Sequence, residues 1–103
     1  MSTITLITTT VATADDARQL ATACVQARLA ACVQIEKVTS YYVWEETAKE
    51  TSEWRMVFKT MPQSAPAMRV WLRHQHPYQV PEVLTQTVEV EAEYAQWVRK
   101  QVG

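Results

Sequence analysis

Residues 32–60 read CVQIEKVTSYYVWEETAKETSEWRMVFKT, and the fold turns on this stretch. From Cys32 the side chains alternate with period two through CVQIEKVTSYYVWEE, and after TAKETSE (47–53) the alternation resumes in WRMVFKT (54–60). The pattern predicts two strands joined by a charged hairpin. Trp54, Met56 and Phe58 then share one face, while Arg55, Val57 and Lys59 share the other. The first strand is unusually long, so it must project beyond its sheet or pair with another chain. The hairpin tip holds no Gly and no Asn-Gly, which leaves its turn type open.

Upstream, ITLITTTV (4–11) is dense in β-branched residues and predicts a first, central strand. Thr13 followed three positions on by Asp16 is a weak capping pair. Ala17, Leu20, Ala21, Cys24 and Leu29 or Arg28 then fall at helical spacing, predicting a helix over 14–30 with Cys24 on its buried stripe. Downstream, PQSAPAMRVWLRHQH predicts a second helix, opened by Pro62 and Pro66 and stopped near Gln75 or His76 by Pro77. VLTQTVEVE is a fourth strand. EAEYAQWVRKQ is a short final helix, acidic at its first turn and basic at its last.

This order predicts one domain over residues 1–103, α+β and ferredoxin-like. Its four-stranded antiparallel sheet carries two helices on one face, a long hairpin between the second and third strands, and a short C-terminal helix. The other sheet face is expected to be bare. With four Trp in 103 residues, the chain holds more apolar surface than a domain this small easily hides, and a homo-oligomer is expected.

Ten basic against eleven acidic residues give a formal charge of -1 and no field to attract a phosphate backbone, so no nucleic-acid partner is expected. No window approaches a membrane span and no export signal opens the sequence, predicting a soluble, cytoplasmic protein without a membrane partner. Cys24 and Cys32 are accordingly expected to be free thiols. No Gly-rich phosphate loop, G-x-S-x-G or H-E-x-x-H occurs, and no reaction class follows: the chain is expected not to be an enzyme.

The pieces TLITTT, RLAACVQI, SYYVWE, FKT, HPYQVPEV and YAQWV occur here in an order and spacing that resemble the CutA1 divalent-cation-tolerance family over essentially the whole chain. The resemblance implies a ferredoxin-like homotrimer whose long hairpin strands complete sheets between subunits. It also implies a role in tolerance to divalent metals, chiefly copper, with no obligatory cofactor and with copper or another divalent cation as the ion bound. Arg28, Cys32, Tyr42, Trp44, Lys59, His76, Pro77, Tyr78, Pro81 and Glu82 fall on the family's recurring positions. Three positions depart from its pattern: Glu46 stands where a turn glycine is common, Gln34 where Asn is usual, and Gln79 where Glu is usual.

Among candidate side chains, His74 and His76 point nearly opposite ways if both are helical, and the structural reading of His76 is a hydrogen bond at a helix end. Cys32 is the better soft ligand, although a Cys in an AACV run is commonly a small buried hydrophobe. A first hypothesis therefore places a metal on Cys32 and His76, with Glu82 as oxygen donor. A second is a signalling or assembly trimer without a physiological metal. Its cleft would hold a small ligand or a partner peptide, the set Arg28, Lys59, Tyr78 and Glu82 suiting an organic anion, with Tyr42, Trp44 and Pro77 as further cleft or interface residues. Tyr42 and Trp44 share one strand face, as ligand wall or as interface core.

Overall fold

The hairpin is longer and tighter than expected. The structure, a computed structural model, describes residues 1–103. Its elements are β1 (Ser2–Val11), α1 (Ala14–Gln26), β2 (Cys32–Trp44), β3 (Thr47–Thr60), α2 (Ala65–Gln75), β4 (Leu84–Val90) and α3 (Ala92–Gln101). TAKETSE is part of β3 and not a loop. The only residues outside the ladder at the tip are Glu45 and Glu46, between the pair Trp44↔Thr47. Both are left-handed, with φ of 49° and 65°, as a two-residue type I′ turn requires. The right-handed twist of two long paired strands demands such a turn, and without glycine it costs roughly 1–2 kcal/mol per residue.

The sheet order is β2-β3-β1-β4, antiparallel throughout, which is the ferredoxin-like arrangement. The register sorts the two faces. Ile7 pairs with Phe58, Thr9 with Met56 and Val11 with Trp54, and this face is covered by Ala17, Leu20 and Cys24 of α1 and by Met68 and Leu72 of α2. Phe58, Ile7, Met56, Met68 and Leu72 are fully buried there, each side chain stabilising the fold by about 1.5–3 kcal/mol. The opposite face is not bare, contrary to expectation. The C-terminal helix α3 packs Ala95 and Val98 on Ile4 and Met61, closing a second small core at one end of the sheet. Nothing in the sequence had placed α3 against this face.

Thr13 caps α1 as expected, its hydroxyl accepting from the Asp16 N–H at 3.0 Å. The helix ends four residues short of the predicted 30. Arg28 turns left-handed at φ 59°, the Leu29 N–H reaches the Cys24 carbonyl and the Arg28 N–H reaches the Val25 carbonyl, completing a Schellman stop without glycine. The sequence hid this end because glycine is its usual signal. The predicted stop of α2 is where Pro77 put it, with His76 as C-cap donating its N–H to Leu72.

β3 pairs with β1 only from Trp54 onward. The seven residues Thr47–Glu53 and their β2 partners therefore run on past β1 as an arm about 23 Å long at 3.3 Å per residue, tied to the body at its base through Glu53. This is why the molecule measures 45 × 25 × 21 Å with a radius of gyration of 14.3 Å, above the ~13 Å of a compact chain of this length.

Candidate functional site

β4 pairs with β1 no further than Thr8↔Leu84, which leaves the edge of β1 at Thr9 and Thr10 open. The segment 76–83 between α2 and β4 seals that edge. The Thr9 hydroxyl donates to the Glu82 carbonyl at 2.5 Å, and its oxygen lies 2.9 Å from His76 Nε2. Nε2 also sits 3.0 Å from the Thr10 carbonyl, while Nδ1 accepts the Tyr78 N–H at 3.1 Å. A carbonyl can only accept and an amide N–H can only donate, so the proton is on Nε2 and the ring is neutral. Burial lowers the His76 pKa, outweighing the Thr10 carbonyl, Asp16 and Glu53, which act to raise it.

His76 in turn positions Tyr78. The rings pack with centroids 5.0 Å apart, and the Tyr78 hydroxyl donates to Glu53 Oε2 at 2.7 Å. Burial, then the hydrogen bond to the Glu53 carboxylate, push the Tyr78 phenol above its ordinary range, so it stays a donor. Where the projecting arm leaves the body beside this segment there is a cleft of about 490 Å³. Its walls are Thr10, Ser40, Tyr41, Tyr42, Trp44, Glu53, Tyr78, Val80 and Glu82. Its charged side chains are the two carboxylates.

Four of the expected residues, Tyr42, Trp44, Tyr78 and Glu82, thus meet in one cleft. The others lie elsewhere. Arg28 clamps the end of α3, donating from Nε to the Gln101 carbonyl and from an Nη to the Lys100 carbonyl, both at 3.1 Å. These last-turn carbonyls have no helical partner, and a guanidinium satisfies two of them at once. Lys59 lies against α3, its Nζ 3.3 Å from the Tyr94 hydroxyl and 5.5 Å over that ring's centroid. Pro77 faces the other way, beside Asp16 and Trp71. His74 is exposed, lining a surface depression with Arg73, Tyr78 and Gln79 and taking no part in the His76 hydrogen bonds.

Cys32 and His76 are not neighbours within a chain. Cys32 is aligned with Lys59 and, through it, with Leu6, whereas His76 sits at the level of Thr9 and Thr10. Two strand spacings and three to four residues put them on the order of 15 Å apart. Both His76 nitrogens are already engaged, and nowhere in the chain do three His, Cys, Asp or Glu side chains converge. A single chain therefore does not fit a metal ion.

Glu53, Thr10, Ser40, Tyr41 and Val80 were not foreseen. Glu53 had been assigned to a loop, where alternation says nothing; once it is in β3, its pairing with Val38 fixes the face it presents.

A search against known proteins matches residues 5–101 to the family described as "CutA1 divalent ion tolerance protein". The human "Protein CutA" is 43% identical over 86 residues, covering 82% of this chain and 48% of the relative. The chain thus spans about half the length of the mammalian relatives it matches. "Divalent-cation tolerance protein CutA" of Thermus thermophilus is 36% identical over 96 residues, covering 91% of this chain and 93% of that one. Among solved structures, CutA from Synechococcus elongatus PCC7942 superposes with a TM-score of 0.95 at 38% identity, over 100% of this chain and 93% of that one.

Proposed function

This chain belongs to the CutA1 divalent ion tolerance family, and from that premise we propose that it serves divalent-cation tolerance as a cytoplasmic homotrimer, the arm of each subunit seated on the next. The observation that carries the assembly is the arm itself. Tyr41, Tyr42, Val43 and Trp44 follow one another there with exposures of 74%, 41%, 72% and 42%. Consecutive strand residues point to both faces, so one sheet packing cannot cover all four, and a neighbour that takes the whole arm can. The arm also presents unpaired strand edges, suited to main-chain pairing with a second copy.

Copper, or another divalent cation, is bound weakly in this reading and only where subunits meet. A single chain brings no three donors together, whereas Cys32 and the Glu82 carboxylate belong to different ends of the body and are available to be shared between copies. His76 serves as a structural residue. The protein acts by binding and assembly without a reaction of its own. The Cys24 thiol fits this, because burial pushes its pKa up to about 12 and keeps that thiol protonated at neutral pH. No helix is long and apolar enough to cross a membrane.

Titration calorimetry of Cu(I) under reducing conditions and of Cu(II) tests the metal role. Uptake falls in Cys32→Ser and persists in His76→Gln. Equal uptake by wild type and Cys32→Ser removes the assignment of that thiol.

A further inference from the structure

Residues 54–81 contain Arg55, Lys59, Arg69 and Arg73 and not one Asp or Glu, although the whole chain holds eleven acids to ten bases. Half of that basic charge lies on α2. At about 100° per residue, Arg69, Val70, Arg73 and His74 fall on one stripe of the helix, turned away from Met68 and Leu72, which face the sheet. The segment 79–83 runs beside this stripe. Between them lies a groove of two adjoining depressions, of about 650 and 450 Å³, that share Val70, Arg73, Gln79 and Pro81. Arg69 lines the first and His74 the second. Basic groups in the last turn of α2 complement the helix dipole, which accounts for Arg73 and His74. It does not account for Arg69 in mid-helix, nor for Val70 and Val80, which are 58% and 67% exposed.

The groove belongs to the outer side of the helix layer. Tyr42 and Trp44 of the arm stand on the sheet face that carries Lys59 and α3, opposite to the face that α2 covers. Pairing of arm edges with a second copy takes place in the plane of the sheet, and α2 lies outside that plane. Arg69 and Arg73 are about 6 Å apart along the helix axis, at 1.5 Å per residue. Alternate side chains of an extended peptide repeat at about 6.8 Å, close to the same spacing. A peptide laid along α2 therefore offers two carboxylates, two residues apart, to two guanidinium forks, while the residue between them turns toward the opposite, apolar wall. A small inorganic anion would occupy a fraction of this length and leave the valines unused. We propose that the groove binds an extended acidic peptide of a partner protein. Arg69 and Arg73 take its alternate acids, and Val80 with Pro81 takes the apolar side chain between them. This inference needs neither the metal role nor the trimer.

The test uses the full chain as purified and dye-labelled pentapeptides, read by fluorescence anisotropy. Glu-Val-Glu-Val-Glu binds, and binding weakens as salt is raised. Glu-Glu-Glu-Val-Val, of the same composition, and Lys-Val-Lys-Val-Lys bind at least about fivefold more weakly. Arg69→Gln and Arg73→Gln each lower affinity by about fivefold, the two together remove binding, and Val80→Ser has a smaller effect. Light scattering on the same samples shows a mass unchanged by the double substitution. The proposal is overturned if the alternating peptide binds no better than its reordered or basic counterparts, if the double variant binds it as wild type does, or if equimolar sulfate displaces it. It also falls if the double substitution lowers the mass of the assembly, because the groove is then the seat of a neighbouring copy.

Discussion

Strand β3 runs through two unlike regions. From Trp54 to Thr60 it lies between β1 and β2 with Met56 and Phe58 wholly buried; from Thr47 to Glu53 it has β2 on one side and no strand on the other. The backbone geometry is the same in both halves. What differs is what the side chains touch, so stability resides in the body while the arm holds apolar surface that the chain itself cannot cover. The difference teaches that one ladder can build a core in one half and present uncovered apolar surface in the other.

The sharpest way to break this comparison is to empty the body. Phe58→Ala should cost about 3–5 kcal/mol of unfolding free energy, measured by denaturant titration. A loss under about 1 kcal/mol would place the core elsewhere. The converse change, Trp44→Ala, should remove about 2 kcal/mol or more from association at each contact while circular dichroism keeps its native shape. An unchanged dissociation curve would relieve the arm of its role.

A smaller effect lies at the arm's tip. Glu46→Gly relieves a left-handed residue at φ 65° and should raise thermal stability by about 1 kcal/mol. A decrease would mean that the Glu46 side chain makes a contact in the assembly that offsets its strain. The smallest effect concerns the junction of the two regions. His76 has its folded pKa lowered from the ordinary 6.5, so the unfolded chain takes up this proton first. The stability contributed by neutral His76 is whole above pH 6.5 and is lost as pH falls through the folded value. Protonating Nδ1 would also set its N–H against the Tyr78 N–H. Melting curves should therefore lose more between neutral and acidic pH in wild type than in His76→Gln, and parallel profiles would contradict the neutral tautomer.

The body was largely legible in the sequence. Period-two runs marked the strands, the threonine-rich opening marked β1, and Pro77 marked the end of α2. Each of these signals is local and carries its own chemistry. The left-handed turns were not legible, because Arg28, Glu45 and Glu46 occupy positions where glycine would have announced them. That absence moved the hairpin loop onto TAKETSE and hid Glu53 within it. The site was half visible: Tyr42, Trp44, Tyr78 and Glu82 were placed together by alternation and by the resemblance. Arg28 and Lys59 do not join them within one chain, because their partners, the α3 carbonyls and Tyr94, lie far away in sequence.

The claim beneath all of this is that the arm is an assembly element. Light scattering on the purified protein at micromolar concentration measures it directly. The account predicts three times the chain mass of 11.8 kDa, falling toward a single chain when Tyr42 and Trp44 are both changed to Ser. A mass of 11.8 kDa for the unaltered protein would contradict it.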